Sequence, residues 1–273
     1  MNRLFVAYKP SGIGSNKFLY TLKRKYNDKK AGFAGTLDPF AKGVLLVGFG
    51  SYTKLFRFLN KTPKRYRATL WLGAHSDSLD IEMIEDVDII EAFTDKEVQE
   101  AVKSLEGTLE YEPPIFSAKR INGQRAYDLA RAGKKVELNK ITSTIYETKL
   151  LAYAHPFVTF EATVSEGTYI RSLGHIIAQR LGINAGSLSM LERLNEGEFF
   201  YENEKPLDIK KSLSIEQNYY LGDADNLRYG RVLALEDLKI QNEGSYWLDN
   251  GDSIAIITII EDRVKYELGR IQC

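Results

Sequence analysis

The chain has 273 residues, 44% of them hydrophobic, and its 37 Lys/Arg are balanced by 37 Asp/Glu, enough apolar material for one large domain plus a small one. A single cysteine, Cys273, excludes an internal disulfide framework and a Cys-based metal site, and the three histidines lie too far apart for metal-ligand spacing, so neither metal nor cofactor is expected. No cationic apolar leader is visible and no run approaches the ~18 apolar residues of a membrane span, so a cytoplasmic protein without membrane contact is expected.

Residues 4–16, LFVAYKPSGIGSN, read as a strand, a Pro-Gly turn and a Ser/Asn helix cap, and KFLYTLKRKY continues with helical spacing. The stretch 31–43 reads as a stiff loop. Gly32 and Gly35 permit tight backbone paths, and Pro39 fixes φ directly after a lone carboxylate, Asp38. Such rigidity suits a reacting group, and it equally suits an Asx turn in which the acid satisfies backbone donors. VLLVGFG (44–50) is a buried strand by its continuous apolar character, YTKLFRFLNK (52–61) has helical spacing, and KRYRATLWLGA (64–74) alternates as a strand does.

The neutral total hides a polarity along the chain. Residues 1–75 carry 15 Lys/Arg against 2 Asp/Glu, and residues 76–112 carry 2 against 13. The clusters KRKYNDKK (23–30) and KLFRFLNKTPKRYR (54–67) interleave cations with Tyr and Phe, as phosphate contacts combined with base stacking require. The acidic stretch 76–91 is expected as an exposed loop or insertion. DKEVQEAVKSLEG (95–107) is a helix capped by Thr94 or Asp95 and stopped at Gly107.

Residues 113–138 give a proline-stiffened loop, a helix ending at Gly133 and a strand over KKVEL. Two β-branched and aromatic runs, ITSTIYETKLLAY and FVTFEATV, predict an antiparallel pair, and GTYIRSLGHIIAQRLG predicts a helix stopped by Gly182. Strands and helices mix without strict alternation, which predicts an α+β fold with a mixed, largely antiparallel central sheet flanked by helices. The expected division is a large domain over 1–202, with an acidic insertion at 76–112, a linker over 203–226, and a small β-rich region over 227–273.

Arg171 starts a helix among apolar neighbours, where a guanidinium is awkward unless it meets a carboxylate; pairing with Asp38 would keep that acid ionised and oriented. Tyr66 sits among four Lys/Arg at 61–67 on a strand whose other face could be core, so a core tyrosine and a working one both fit.

Five stretches in order, VAYKPSGIGSN, AGFAGTLDPFAKGVL, KRYRATLWLGAHSDSLD, PPIFSAKRINGQRAYDLARAG and EGTYIRSLGHIIAQRLG, resemble the successive motifs of the TruB-type bacterial tRNA pseudouridine synthases. The resemblance spans about residues 5–195. It implies a pseudouridine synthase fold, a C-terminal region that resembles a truncated or remodelled PUA-like RNA-binding domain, and a monomer that isomerises the T-loop uridine (U55 in tRNA numbering). Asp38 matches the family's catalytic aspartate, Tyr66 the tyrosine that stacks on the target base and assists proton transfer, and Arg171 the arginine paired with the aspartate. Lys9 and Pro10 match a Lys-Pro pair near the site and Leu191 a leucine lining the uracil pocket; Tyr169, Lys64 and Arg65 complete the expected substrate-binding set. The family usually has His in a Gly-His-Thr-Gly stretch, whereas this chain reads GFAG. Phe33 can stack there but offers no polar hydrogen-bonding group.

Pseudouridine formation breaks the N1–C1′ bond, turns the uracil and rejoins it through C5, so one carboxylate suffices. Asp38 could attack C1′, attack C6, or take the C2′ proton. A glycosidase would ordinarily need two flanking carboxylates. A guide-RNA-dependent synthase is disfavoured by the absence of long basic tails. The principal competitor is a non-catalytic RNA-binding or tRNA-chaperone protein; Asp38, Tyr66 and Arg171 together argue against it, because pure binding has no use for a fixed anion on a phosphate-attracting surface.

Overall fold

A computed structural model describes the chain apart from residues 118, 122 and 134–137 and the side chains of 120, 121, 125 and 131. The strand expected over KKVEL lies outside the described residues.

The chain opens with β1 (Arg3–Lys9), α1 (Ser15–Lys25), β2 (Ala31–Ala34) and β3 (Lys42–Phe49), so part of the expected 31–43 loop is a strand. The backbone cap of α1 is Gly14 rather than a Ser or Asn side chain. Ser15 is already helical, and its hydroxyl instead bonds the Leu37 N–H and carbonyl at 2.9 and 2.8 Å. The helix expected over 52–61 is two short 3₁₀ turns at 50–54 and 56–58. Within the turns and the residue that joins them, Tyr52, Leu55 and Phe58 are buried, and their three-residue spacing matches three residues per turn; buried Leu59 follows in extended backbone.

Next come β4 (Lys64–Leu72), β5 (Ala74–Ser76), β6 (Ile84–Val87), α2 (Asp95–Lys103) and β7 (Gly107–Tyr111). In β4 burial alternates residue by residue, as one face of the strand meets the core. Thr94 and Glu97 form a reciprocal capping box on α2, which stops before Gly107. There follow β8 (Arg120–Ile121), β9 (Gln124–Arg125), α3 (Ala126–Arg131), β10 (Ile141–Ala154), β11 (Phe157–Val164), α4 (Ile170–Arg180) and β12 (Gly186–Glu196). The last part holds α5 (Ile209–Ser212), β13 (Glu216–Asn218), α6 (Ala224–Tyr229), β14 (Gly244–Asp249), β15 (Ser253–Ile260) and β16 (Arg263–Gln272).

The main sheet runs β1-β3-β12-β4-β11-β10-β7, with β2 on the part of the β3 edge that β12 leaves open. All its pairs are antiparallel except β3–β12, which is the mixed, largely antiparallel α+β architecture expected. Leu70, Leu72, Val158 and Phe160 on one face form a core with Val98 and Val102 of α2 and Leu173 and Ile177 of α4. The helix α4 lies directly on β12 because two glycines leave room: a Cβ on Gly186 would come within 2.6 Å of Ala178, and one on Gly174 within 2.7 Å of Leu188. That close approach sets the depth of Arg171 in the first turn of α4.

Residues 203–226, expected as a linker, contain β13, which pairs in parallel with β14 and opens the second sheet, β13-β14-β15-β16. Trp247, Ile254, Ile256 and Ile271 of that sheet share one core with Leu4, Val6, Val44 and Leu46 of β1 and β3. No described helix is long and apolar enough to cross a membrane.

Candidate active site

The loop between β2 and β3 presents Asp38 from a backbone held at several points. Gly35 takes φ +66°, a path open to glycine at little cost. Ser15 holds Leu37 from both sides, the Gly12 N–H donates to the Pro39 carbonyl at 2.9 Å, and the Ala41 N–H donates to the Asp38 carbonyl at 3.1 Å. The carboxylate then meets Arg171, whose Nε lies 3.0 Å from Asp38 Oδ2.

Arg171 is itself immobilised. Its Nη1 donates to the Ser78 carbonyl at 2.7 Å and to Asp80 Oδ2 at 3.2 Å, and its Nη2 donates to the Phe116 carbonyl at 2.8 Å. Asp80 is buried, and its other oxygen accepts from the Ser78 hydroxyl and the Glu82 N–H. Leu79 between them adopts φ +59°, a strained conformation for a branched side chain, and the Leu188 N–H bonds its carbonyl. A planar, five-donor guanidinium is thus shared by two carboxylates and two carbonyls, a role that lysine geometry could not fill.

Two cavities meet at Asp38. One, of about 300 Å³, is lined by Tyr66, Leu191, Tyr169, Lys64, Arg193 and the 35–38 loop. The other, of about 680 Å³, opens past Phe33, Pro39, Met83 and Phe116 and the first turn of α1. Asp38 and Arg171 belong to both walls. The Asp38 side chain keeps 35% of its surface exposed. Burial pushes its carboxyl above the ordinary range, against the pull of Arg171 and Lys9 and with some reinforcement from Asp80.

The expected residues divide by position. Asp38, Tyr66, Arg171, Tyr169, Leu191 and Lys64 surround the smaller cavity, and Phe33 lines the larger one. Tyr169 is the N-cap of α4, its N–H donating to the Tyr111 hydroxyl at 3.0 Å. Lys9 does not line either cavity. It is fully buried, donates to the carbonyls of Pro10, Ile13 and Pro39, and has its pKa lowered by burial to about 8. It therefore holds the turn behind the loop, and Pro10 is exposed away from both cavities. Arg65 lies on the other face of β4 from Tyr66, in a groove with Glu147 and Glu161. The reason is the two-residue period of a strand, which sends 64 and 66 inward and 65 outward. Lys64 is buried against Glu196 at 3.1 Å rather than displayed. Sequence reasoning passed over Asp80, Ser78, Arg193 and Glu196; the Ser-Asp-Ser-Leu-Asp run was the available signal for the first two.

A family model described as TruB family pseudouridylate synthase (N terminal domain) matches residues 23–170. The chain belongs to the TruB family. A TruB protein of Sulfurimonas denitrificans named tRNA pseudouridine synthase B is 72% identical over all of both chains. Relatives with the same name from Sulfurovum and Campylobacter jejuni are 53% and 49% identical over 98% or more of each chain. Among solved structures, a chain from an H/ACA RNP bound to a substrate RNA containing 2′-deoxyuridine superposes with TM-score 0.69 at 18% identity, covering 98% of this chain and 85% of that one. A chain of a Cbf5-Nop10-Gar1 complex gives 0.68 at 19%, covering 99% and 84%. At that identity the two structures speak for the fold alone. As a TruB synthase the chain is an enzyme, an isomerase that makes pseudouridine. Among the described residues no cluster of three or more His, Cys, Asp or Glu could hold a metal ion.

Proposed function

We propose that this TruB synthase converts uridine 55 in the T loop of tRNA to pseudouridine, with Asp38 as the reacting carboxylate. The observation that carries the reading is the Arg171 anchor, which holds one anion at the junction of two cavities in a protein whose N-terminal quarter is strongly basic. A protein that only bound RNA would gain nothing from that anion. The shared name of its relatives supports tRNA as the substrate.

The smaller cavity is at the low end of ligand-site volumes and suits one extruded nucleoside. Unstacking the target costs a few kcal/mol, and stacking on Tyr66 would offset about 1–3 kcal/mol of it. Ionised Asp38 is needed whether it attacks C1′ or C6 or takes the C2′ proton, and Arg171 stabilises that form. The N1–C1′ bond breaks, the C1′–C5 bond forms, the C5 hydrogen leaves as a proton and N1 gains one. Apolar walls from Leu37, Ile170 and Leu191 limit water, which would otherwise hydrolyse the intermediate to an abasic site.

Exposed cations at Arg24, Lys29, Lys30 and Lys54 extend this reading to the RNA backbone. Neutralising Lys29 and Lys30 raises KM and flattens its salt dependence while leaving single-turnover chemistry unchanged. The central test is tritium release from an unmodified tRNA transcript labelled at uracil C5. One equivalent released, absent with Asp38→Asn and mapping to position 55, is the expected result. Tight tRNA binding without release would leave the chaperone reading in its place.

A further inference from the structure

A second charged cluster holds the ends of the Asp38 loop and is not used by the chemistry above. Arg193 of β12 is 1% exposed and Glu196 is fully buried. Arg193 Nε donates to the Val44 carbonyl at 2.7 Å and its Nη2 donates to the Gly35 carbonyl at 3.1 Å. One guanidinium therefore closes both ends of the segment that carries Asp38. The backbone repeats the grip: Arg193 is in register with Gly43, whose φ of +116° and lack of a side chain are both needed, because a Cβ there would collide with the Arg193 main chain.

Glu196 reaches this cluster through a bulge. The register of β12 against β4 slips between Arg193, opposite Tyr66, and Asn195, opposite Arg65. The slip turns Glu196 to the same face as Arg193, whereas an unbroken strand would put the two on opposite faces. Its oxygens then lie 3.5 Å from Arg193 Nη2 and 3.1 Å from Lys64 Nζ, with no directed hydrogen bond. Burying such charges is a poor route to stability, since well-packed apolar residues usually do as well or better. Its geometric product is the fixed aim of Arg193.

We infer that Arg193, held in place by Glu196, is a positioning residue that sets the backbone of the Asp38 loop, as Arg171 holds its carboxylate. The inference rests on Asp38 being the reacting group. Ser15 clamps the same loop at Leu37, so the two clamps act on one object.

The test is single-turnover tritium release by the full-length protein, with tRNA affinity and melting measured alongside. Arg193→Gln slows release by about 30-fold, because displacement of a reacting group by ~1 Å costs up to ~10²-fold, while Kd for tRNA stays within about twofold. Arg193→Lys recovers part of the rate, since an ammonium can reach one of the two carbonyls. Combined with Ser15→Ala, the loss falls short of the product of the two single losses. A role confined to folding would lower the melting temperature and leave the rate per folded molecule unchanged. Release by Arg193→Gln within about twofold of the unaltered protein overturns the inference. If that variant does not fold, Glu196→Gln decides: a loss of about three- to tenfold at unchanged Kd supports the inference, and a rate within about twofold overturns it. Release by Asp38→Asn would instead sink the functional reading, whereas a silent Asp38→Asn beside fully active Arg193 variants would sink this one alone.

Discussion

Two segments each deliver a carboxylate to Arg171, and they do it in opposite ways. The 31–45 segment carries Asp38 on a glycine- and proline-marked loop, with about a third of its side chain facing open space. The 76–91 segment carries Asp80 within an acidic run, buried to 1% and saturated by Ser78, Glu82 and the guanidinium. The first keeps an anion available and the second uses one up in holding the arginine. Burial and partner count, rather than charge density along the chain, separate the accessible carboxylate, proposed to react, from the one that is fully engaged.

The comparison breaks most completely at the shared arginine. Arg171→Met removes the cationic partner of both acids and leaves buried Asp80 with only the Ser78 hydroxyl and the Glu82 N–H as donors. Tritium release is lost, and denaturant melts show a destabilisation of about 3–5 kcal/mol.

Asp38→Asn separates activity from stability. Release is abolished, yet the fold does not weaken. Because burial raises the Asp38 pKa, the folded protein holds that proton more tightly than the unfolded chain does. The ionised carboxylate therefore opposes folding above its folded-state pKa, and the opposition vanishes below the unfolded value. The variant melts at the same or a higher temperature than the unaltered protein at pH 7, and the gap closes below about pH 4. By the same shift, the single-turnover rate of the unaltered protein declines on acidification at a pH above the ~3.9 of an ordinary aspartate.

Asp80→Asn keeps the shape of the site and removes one charge. It slows single-turnover release by about 10–100-fold through misplacement of Arg171 and costs about 1–3 kcal/mol in melts. The smallest effect belongs to Arg65→Ala, on the far face of β4: release changes by less than about twofold and stability by about 0.5 kcal/mol or less.

Much of this was legible in the chain. Gly35, Asp38 and Pro39 marked a rigid loop, and the isolated guanidinium at Arg171 announced a carboxylate partner. The alternation of KRYRATLWL identified β4, and applied strictly it also separates Lys64 from Arg65. Other features had no local signature. β12 lies at the centre of the sheet with the run SLSMLERLNE, which lacks any β-branched residue; its pairing with β3 and β4 overrides weak propensity. Asp80 looked like one more solvated acid because only the tertiary fold brings Arg171 to it across 91 positions of sequence. The bulge that turns Glu196 inward is likewise a property of the pairing with β4, not of the residues around it.

The core shared by the two sheets also sets an order of events during synthesis. Leu4, Val6, Val44 and Leu46 emerge from the ribosome long before Trp247, Ile254 and Ile271, the residues that cover them. Asn2 receives the Gln272 carbonyl as its hydrogen-bond partner only when β16 has been made. A nascent chain that has completed the Asp38 loop and α4 thus covers the apolar backs of β1 and β3 only in part, with Tyr52, Leu55 and Phe58. It can bring Asp38 and Arg171 together before the cover of β1 and β3 is complete.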